Sequence, residues 1–221
     1  AVKRSGAALI CQVQTLEMAQ HAVAMGADVL VAQGAEAGGH GVSRSTLTLV
    51  PEIVDVVGPD VSVVAAGGIA DGRGLAAAIM LGASGVLMGT RFYATKEAAI
   101  ASEAKTRVQR ASGDDTARGI VFDIARMKVW PSPFTGRCLR NGFLDRWVGR
   151  ELELLPRAES EHAKYIAARE AGNFDVAAVI AGEAAGLVRD IPSAREVVER
   201  ISRDAEALIR RAAQSLALTS T

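Results

Sequence analysis

The chain is poor in cysteine and in aromatic residues. Of its 221 residues only two are cysteines, Cys11 and Cys138, and only 4% are aromatic. Two cysteines so far apart in sequence form neither a disulfide framework nor a CxxC motif, so we expect a reducing compartment and, by default, the cytoplasm. The cysteine, histidine and carboxylate residues nowhere show metal-ligand spacing, so the sequence predicts no metal site.

The chain also lacks an excess of either charge and any long apolar run. It carries 25 basic and 25 acidic residues, for a formal net charge of zero. Without a basic patch or a polybasic run, neither a nucleic acid nor an anionic membrane surface is an expected partner. No apolar run approaches the roughly 20 residues that span a bilayer, and no signal peptide opens the chain. These absences are consistent with part of a soluble intracellular enzyme.

The most informative stretch that is present is a glycine-rich repeat in residues 61–92. One short apolar run consists of Val61, Val63, Val64 and Ala65 and another of residues 86–88, both without a polar face, which is typical of parallel strands buried on both sides. The first run ends at glycines 67–68 and the second at Gly89. The stretch therefore reads as strand, glycine loop, helix, strand and glycine loop.

Each of these glycine breaks precedes a predicted helix start, the first near Asp71 and Gly72 in a helix that ends at Gly82. Backbone N–H groups at such positions hold oxyanions, most often phosphates. In an eight-stranded βα barrel the loops after the last two strands are the usual phosphate site. Alternatively the glycines only permit tight turns. Two such breaks on neighbouring strands favour a phosphate-bearing ligand.

The earlier part of the chain repeats the same βα pattern. Strands are predicted at residues 7–13 and 29–32, and MGADVLVAQG and LGASGVLMGT are imperfect copies of one unit. Because βα crossovers are nearly always right-handed, we expect a parallel sheet. A polar, glycine-rich loop at residues 33–46, of the kind that carries ligands and catalysis, precedes a predicted helix at residues 47–57. Only about four βα units are present, whereas a closed barrel needs eight strands.

The rest of the chain has a different character. From residue 96 onward it is helical and charged, with an amphipathic helix predicted at residues 96–111, an irregular stretch at 113–150 and a capping box at 193–196 before the last helix. We therefore predict two regions: the C-terminal half of a barrel in residues 1–95, and a helical C-terminal region in residues 96–221 that packs on it.

Four motifs in order carry a family resemblance: QGAEAGGH, AAGGIADGRGLAAA, LGASGVLMGTRF and FTGRCLRN. Together they resemble the nitronate monooxygenases, formerly called 2-nitropropane dioxygenases, which are FMN-dependent TIM barrels. The resemblance spans about residues 7–141. It implies an α/β fold, a TIM (β/α)8 barrel of which only the C-terminal half is present, followed by the helical region.

The resemblance also assigns the flavin-binding positions. They fall on Gln33, Gly38, Gly68, Leu87, Met88, Gly89 and Thr90. Most of these coincide with the phosphate loops predicted from the strand ends alone. Gln33 would point its amide toward the isoalloxazine edge, as a neutral donor and acceptor. From the residues alone, a glutamine at a strand end satisfies loop backbone equally well.

His40 corresponds to the catalytic base of the family. A neutral imidazole is the usual general base for a carbon acid such as a nitroalkane. The alternative is a loop histidine that hydrogen-bonds locally, but the glycines around it, Gly38, Gly39 and Gly41, permit a close approach to a planar ring.

Three other charged residues lie near these motifs, and we favour structural roles for the two carboxylates among them. Glu36 would orient the loop or His40, and Asp71 would cap the helix that begins at Gly72. Arg91 follows the second glycine loop and could lie near the anion, but an arginine there forms a salt bridge between elements just as often, and we leave it out of the site.

The resemblance implies an FMN oxidoreductase that oxidises alkyl nitronates or nitroalkanes with O₂ to carbonyl compounds and nitrite. Two alternatives share the barrel and the flavin: an FMN-dependent enoyl-acyl-carrier-protein reductase and an NADH:quinone reductase. A third is a barrel remnant that scaffolds a partner. Open strand edges of a half-barrel would also favour association, for example as a homodimer.

Overall fold

The computed structural model describes residues 2–128 and 130–218, which fall into two compact units. The parallel-sheet unit contains the chain up to Ala35, residues Ser43–Met88 and the chain from Pro192 onward. The antiparallel unit contains Glu36–Val42 and Gly89–Ile191. Each unit has its own sheet and its own helices, and each is described by itself below.

The described residues form strands and helices in the following chain order. The strands are β1 (Ile10–Val13), β2 (Val29–Gln33), β3 (Gly39–Gly41), β4 (Ser62–Ala66), β5 (Gly85–Leu87), β6 (Thr116–Gly119) and β7 (Thr135–Leu139). The helices are α1 (Leu16–Ala24), α2 (Thr46–Val57), α3 (Gly72–Met80), α4 (Gly89–Tyr93), α5 (Ser102–Arg110), α6 (Val121–Ala125), α7 (Gly142–Trp147), α8 (Glu151–Leu154), α9 (Ala158–Glu170) and α10 (Ala194–Leu218).

The parallel-sheet unit is built on four parallel strands in the order β1-β2-β4-β5. The register places Leu30 of β2 between Cys11 of β1 and Val63 of β4. The helices α1, α2 and α3 connect successive strands of this sheet. The predicted α/β fold with a parallel sheet is therefore confirmed. The apolar runs become these strands because β-branched side chains suit a surface buried on both faces.

Helix α2 supplies the centre of the core of this unit. Leu49, Val50 and Ile53 are completely buried, and α2 packs against β2, β4 and α1. Its observed span agrees with the helix predicted at residues 47–57. The spacing of three or four residues puts these side chains on one face, which contacts the sheet.

Helix α10 also packs in the parallel-sheet unit, against α3. A Cβ atom at Gly72 would lie 2.7 Å from the backbone nitrogen of Ala205, so glycine permits the close approach of the two helices. The predicted capping box is confirmed. The backbone N–H of Ser193 donates to Glu196 Oε2 at 2.7 Å, and that of Glu196 donates to Ser193 Oγ at 3.2 Å.

The antiparallel unit contains a second sheet, which the sequence analysis did not predict. Its order is β3-β7-β6, and both pairs are antiparallel. Strands β6 and β7 lie in the stretch interpreted as irregular, because their glycine and arginine residues interrupt any apolar alternation. The helix predicted at residues 96–111 begins only at Ser102, so that prediction was wrong at its start.

Helices α6, α7, α8 and α9 pack together in the antiparallel unit. The Phe122 ring of α6 contacts the rings of Phe143 in α7 and Tyr165 in α9, at centroid distances of 5.9 and 6.2 Å. This aromatic cluster adds to an apolar core that also contains Leu144 and Leu154. Among the helices of the described residues, none combines the length and the apolar character needed to cross a membrane.

Candidate active site

The loop after β4 contains two successive glycines in the left-handed region of backbone conformation. Gly67 has φ 107° and Gly68 has φ 72°, values that residues with a side chain rarely adopt. The hydroxyl of Thr46 at the start of α2 donates to the carbonyls of Ala66 and Gly67, at 3.2 and 3.1 Å. The loop is therefore held by the neighbouring helix, and glycine is required for its shape.

Asp71 caps helix α3, as predicted. Its Oδ1 accepts from the backbone N–H groups of Arg73 and Gly74 at 2.9 and 3.2 Å, and the Arg73 guanidinium donates to Oδ2 at 2.6 Å. Burial opposes ionisation of this carboxyl, but these hydrogen bonds outweigh it and lower the pKa of Asp71. The N–H groups that the sequence analysis assigned to an oxyanion at this helix start thus already have a carboxylate acceptor. The glycine loop 67–68 is the part of this turn that remains suited to a ligand.

Gln33 lies at the end of β2 in a cluster of glutamine side chains. It is buried, and its Oε1 accepts from Gln14 Nε2 at 2.8 Å and from Gln12 Nε2. Because these bonds occupy the amide oxygen, they orient Nε2 as the donor end of the Gln33 side chain. The QVQ segment at the end of β1 is the sequence signal for this cluster, and the sequence analysis missed it.

Two further predicted flavin positions lie at the end of β5 in the parallel-sheet unit. Leu87 is the last residue of the strand and Met88 follows it. Leu87 is half-exposed although it lies in an apolar strand, whereas Met88 packs against the core of this unit. A large apolar side chain exposed at the C-terminal end of a parallel strand is suited to contact a ligand.

Helix α4, in the antiparallel unit, contains two further predicted flavin positions, Gly89 and Thr90. A Cβ atom at Gly89 would meet no heavy atom within 4 Å, so packing does not require this glycine. Thr90 is buried, and its Oγ1 accepts from the backbone N–H of Gly182 at 2.9 Å. Thr90 thus connects α4 to the segment around Gly182.

Of the two roles open to Arg91 from the sequence, a place near an anion or a salt bridge between elements, the structure shows the salt bridge. Its guanidinium is almost completely buried and donates to Asp190 Oδ1 at 2.9 Å, to the Asp190 carbonyl at 2.7 Å and to the Ala94 carbonyl at 2.9 Å. These bonds tie α4 to the segment at Asp190.

Gly38 lies where two backbone segments cross. A Cβ atom there would be 2.7 Å from the backbone nitrogen of Gly182 and 2.7 Å from the carbonyl carbon of Ala181. The carbonyl of Glu36 accepts from the backbone N–H of Glu183 at 2.9 Å. The structure therefore supplies an intramolecular reason for glycine at position 38, which the sequence analysis attributed to contact with a flavin ring.

His40 lies in β3, and its ring is held on three sides. Its Nε2 lies 2.9 and 3.0 Å from Asp123 Oδ1 and Oδ2. The indole of Trp130 stacks on the imidazole with ring centroids 3.9 Å apart and an interplanar angle of 10°. A Cβ atom at Gly136, the residue opposite His40 in β7, would be 3.4 Å from Nε2. This is an oriented histidine, not a mobile loop residue.

Arg118 holds the backbone of the strand that carries His40. Its guanidinium donates to the carbonyls of Ala37 and Gly41, each at 3.1 Å, to that of Thr135 at 2.5 Å and to that of Gly39 at 3.4 Å. Burial, together with the neighbouring Arg137, lowers the pKa of Arg118. Sequence reasoning missed Asp123, Trp130 and Arg118 because each lies about 80 or more residues beyond the loop that it contacts.

Cys138 lies in β7 close to this group but is not a nucleophile. Burial, reinforced by the nearby carboxylate of Asp123, raises the pKa of its thiol to about 12. The thiol therefore stays protonated at neutral pH, and thiolate chemistry is excluded there. Within the described part of the chain, no group of three or more histidine, cysteine and carboxylate residues is arranged to hold a metal ion.

A cavity of about 340 Å³ lies in the antiparallel unit, and we call it the tyrosine–arginine cavity. Its characteristic lining residues are Tyr93, Tyr165, Arg126, Arg169, Phe174 and Ile180. Neither guanidinium forms an ion pair with a carboxylate of the described residues, and neither phenol hydroxyl hydrogen-bonds to a described residue. The cavity is therefore lined by two arginines and two tyrosines beside apolar residues.

The tyrosine–arginine cavity adjoins the strand that carries His40. A Cβ atom at Gly39 would lie 3.7 Å from Ile180 Cγ2, and Ile180 lines the cavity. Arg126 directly follows α6, the helix that carries Asp123. Arginines and phenols that have no partner among the described residues are suited to bind an organic anion.

Comparison with known proteins places this geometry in a family. The chain matches the family model described as nitronate monooxygenase over residues 1–204. Nitronate monooxygenase npaC of Metarhizium robertsii is 42% identical over 190 residues, which cover 82% of this chain and 53% of that protein. FabK from Thermotoga maritima matches with a TM-score of 0.84 at 31% identity, over 97% of this chain and 66% of that chain. A nitroalkane oxidase from Streptomyces ansochromogenes matches with a TM-score of 0.75 at 28% identity, over 95% of this chain and 60% of that chain.

The chain spans about half the length of the curated relatives it matches, 53% and 57% for two of them. The family model nevertheless covers nearly all of the described residues, including both glycine loops and the strand that carries His40. The resemblance inferred from the four motifs is confirmed. The chain belongs to the nitronate monooxygenase family.

Proposed function

We propose that the protein is an FMN-dependent oxidoreductase that oxidises alkyl nitronates or nitroalkanes with O₂ to carbonyl compounds and nitrite. The observation that carries this proposal is an oriented histidine, His40, next to a cavity lined by two arginines that form no ion pair within the described part of the chain. A histidine base suits the removal of a proton from carbon, and the cations suit the anion that results. Family membership and the similarity to a nitroalkane oxidase support the same reaction class.

The proposed cofactor is FMN, which when bound would accept electrons from the substrate and pass them to O₂. In the parallel-sheet unit we propose Gln33, Gly68, Leu87 and Met88 as its contacts. In the antiparallel unit we propose Gly38, Gly89 and Thr90. The left-handed backbone at Gly68 and the open space around Gly89 support this assignment, because both leave backbone N–H groups accessible to a ligand.

His40 is the proposed general base. It would take the proton from the carbon next to the nitro group, and the electron pair of that C–H bond would remain in the nitronate. Trp130 stacks on one face of the ring and Asp123 lies within hydrogen-bond distance of Nε2, so the imidazole is held in one plane. Such pre-orientation favours proton transfer because little conformational freedom is lost in the reaction.

The tyrosine–arginine cavity is the proposed site for the anionic end of the substrate. Replacing Arg126 with glutamine is expected to raise KM for a nitronate about 10- to 100-fold, because a hydrogen bond to a charged group contributes about 1.5–3 kcal/mol. Steady-state kinetics with an alkyl nitronate measure the effect. Arg146→Gln, an exposed arginine of α7 outside the cavity, is the matched control. An unchanged KM in Arg126→Gln would place the substrate elsewhere.

We also infer that the parallel sheet is one arc of a (β/α)8 barrel. Within the described residues, β1 and β5 each pair on one side only, so both ends of the sheet present unpaired N–H and C=O groups. Four further strands would satisfy both ends and close the barrel. The loops after β4 and β5 would then correspond to the phosphate loops after the seventh and eighth strands. Where the edges stay unpaired, they favour association of two copies.

Rapid mixing of the FMN-loaded protein with alternative electron donors tests the proposed reaction. We expect an anaerobic nitronate to bleach the flavin absorbance near the rate of turnover, and NADH to bleach it much more slowly. Admission of O₂ should then restore the absorbance and yield nitrite. Fast bleaching by NADH, with none by the nitronate, would replace the proposal with a reductase of the enoyl or quinone type.

A further inference from the structure

We propose that Asp123 is a positioning residue that fixes His40 as its Nε2–H tautomer. Both carboxylate oxygens of Asp123 lie within hydrogen-bond distance of Nε2, at 2.9 and 3.0 Å. An ionised carboxylate only accepts, so the ring proton must reside on Nε2. The lone pair of the neutral imidazole is then on Nδ1. The catalytic meaning of this arrangement rests on the proposed function, whereas the tautomer itself does not.

The surroundings of His40 and Asp123 favour the hydrogen bond between Nε2 and the carboxylate over bonds to other partners. The side chains of His40 and Asp123 are only 16% and 8% exposed, so water competes weakly for either group. Asp123 sits in the first turn of α6, and the Trp130 stack keeps the imidazole in one plane. Because the stacked indole opposes rotation of the imidazole about Cβ–Cγ, Nε2 stays turned toward the carboxylate.

The tautomer decides where a proton goes. A proton leaving the carbon of a nitroalkane would bind Nδ1, and the imidazolium would then carry N–H groups on both nitrogens. Asp123 would keep its bond to Nε2–H throughout. Its negative charge would stabilise the new positive charge on the ring, without Asp123 taking the proton itself. The carboxylate thus orients the base and stabilises its charged form.

Nitrogen-15 NMR reads the tautomer directly. The chain has three histidines, and His162 supplies an internal reference because its Nδ1 lies 2.9 Å from the Ala125 carbonyl, which requires the opposite tautomer. Long-range proton–nitrogen spectra of the labelled chain at about pH 8, where an ordinary imidazole is neutral, should show Nε2–H for His40 and Nδ1–H for His162. A wild-type His40 in the Nδ1–H form overturns the proposal, with no variant needed.

Variants separate positioning from a merely structural role. In Asp123→Asn, His40 should lose its fixed tautomer while the His162 signal stays unchanged. Turnover of neutral nitroalkanes should fall by about 10²- to 10⁴-fold, the contribution of a positioned general base. Asp123→Glu, which keeps an acceptor carboxylate, should recover part of both properties. Asp145→Asn, which removes an exposed carboxylate paired with Arg140, is the control and should change neither.

The two readouts distinguish this inference from the function on which it rests. If His40 holds Nε2–H only while Asp123 is present, but no nitro compound is turned over, the positioning role stands and the proposed reaction fails. If nitroalkanes are turned over and Asp123→Asn alters neither tautomer nor rate, the reaction stands and the positioning role is wrong.

Discussion

Replacing His40 with asparagine is expected to lower the turnover of neutral nitroalkanes by about 10²- to 10⁴-fold, which is what positioned proton transfer contributes. Asparagine retains polar atoms near Asp123 and Trp130 but has no group that takes up a proton near neutral pH. Preformed nitronates have already lost the proton in question, so their oxidation should change much less. Steady-state rates of both substrate forms, with nitrite as the measured product, give the comparison.

The control for this substitution is His21→Asn. His21 is exposed in α1 and lies outside the proposed site, so its replacement should leave both rates unchanged. An equal loss on nitroalkane and nitronate in His40→Asn would contradict a base role, because only one of these substrates requires deprotonation. His40 would then be a binding or structural residue.

Gly68→Val is expected to abolish retention of FMN. Gly68 has φ 72°, a conformation that a β-branched residue adopts only under strain, and it follows β4 at the loop proposed to contact the flavin. Valine would both distort the loop and place methyl groups where a ligand must approach the backbone. The flavin absorbance that remains after gel filtration, relative to protein, measures retention, and circular dichroism should stay largely unchanged.

Gly58→Val separates loss of the ligand from general strain. Gly58 also has a left-handed φ, 68°, and a Cβ atom there would meet nothing within 4 Å. It ends α2, away from the loops proposed to bind FMN, so this variant carries comparable backbone strain without touching the proposed site. It should retain flavin. Normal yellow colour in Gly68→Val would remove Gly68 from the flavin site.

Local sequence signals determined the parallel-sheet unit. Apolar runs that end in glycine became β4 and β5, and the predicted helix at residues 47–57 became α2. The Asp71 cap and the Ser193 capping box were also predictable, because a cap satisfies backbone groups only two or three residues away. In each of these cases the interacting residues are neighbours in the chain, so their pattern can be read without a fold.

Only the tertiary structure decided the surroundings of His40. Asp123 lies 83 residues further along the chain, and Trp130 follows it in a stretch that has no regular pattern. Strand β7 places Gly136 opposite His40, yet its sequence contains too few apolar residues to predict a strand. The single histidine of a glycine-rich loop therefore pointed to a base, while the carboxylate that orients it came from long-range packing. Such contacts depend on which strands pair and which helices pack, and the sequence of one segment carries no record of its distant partner.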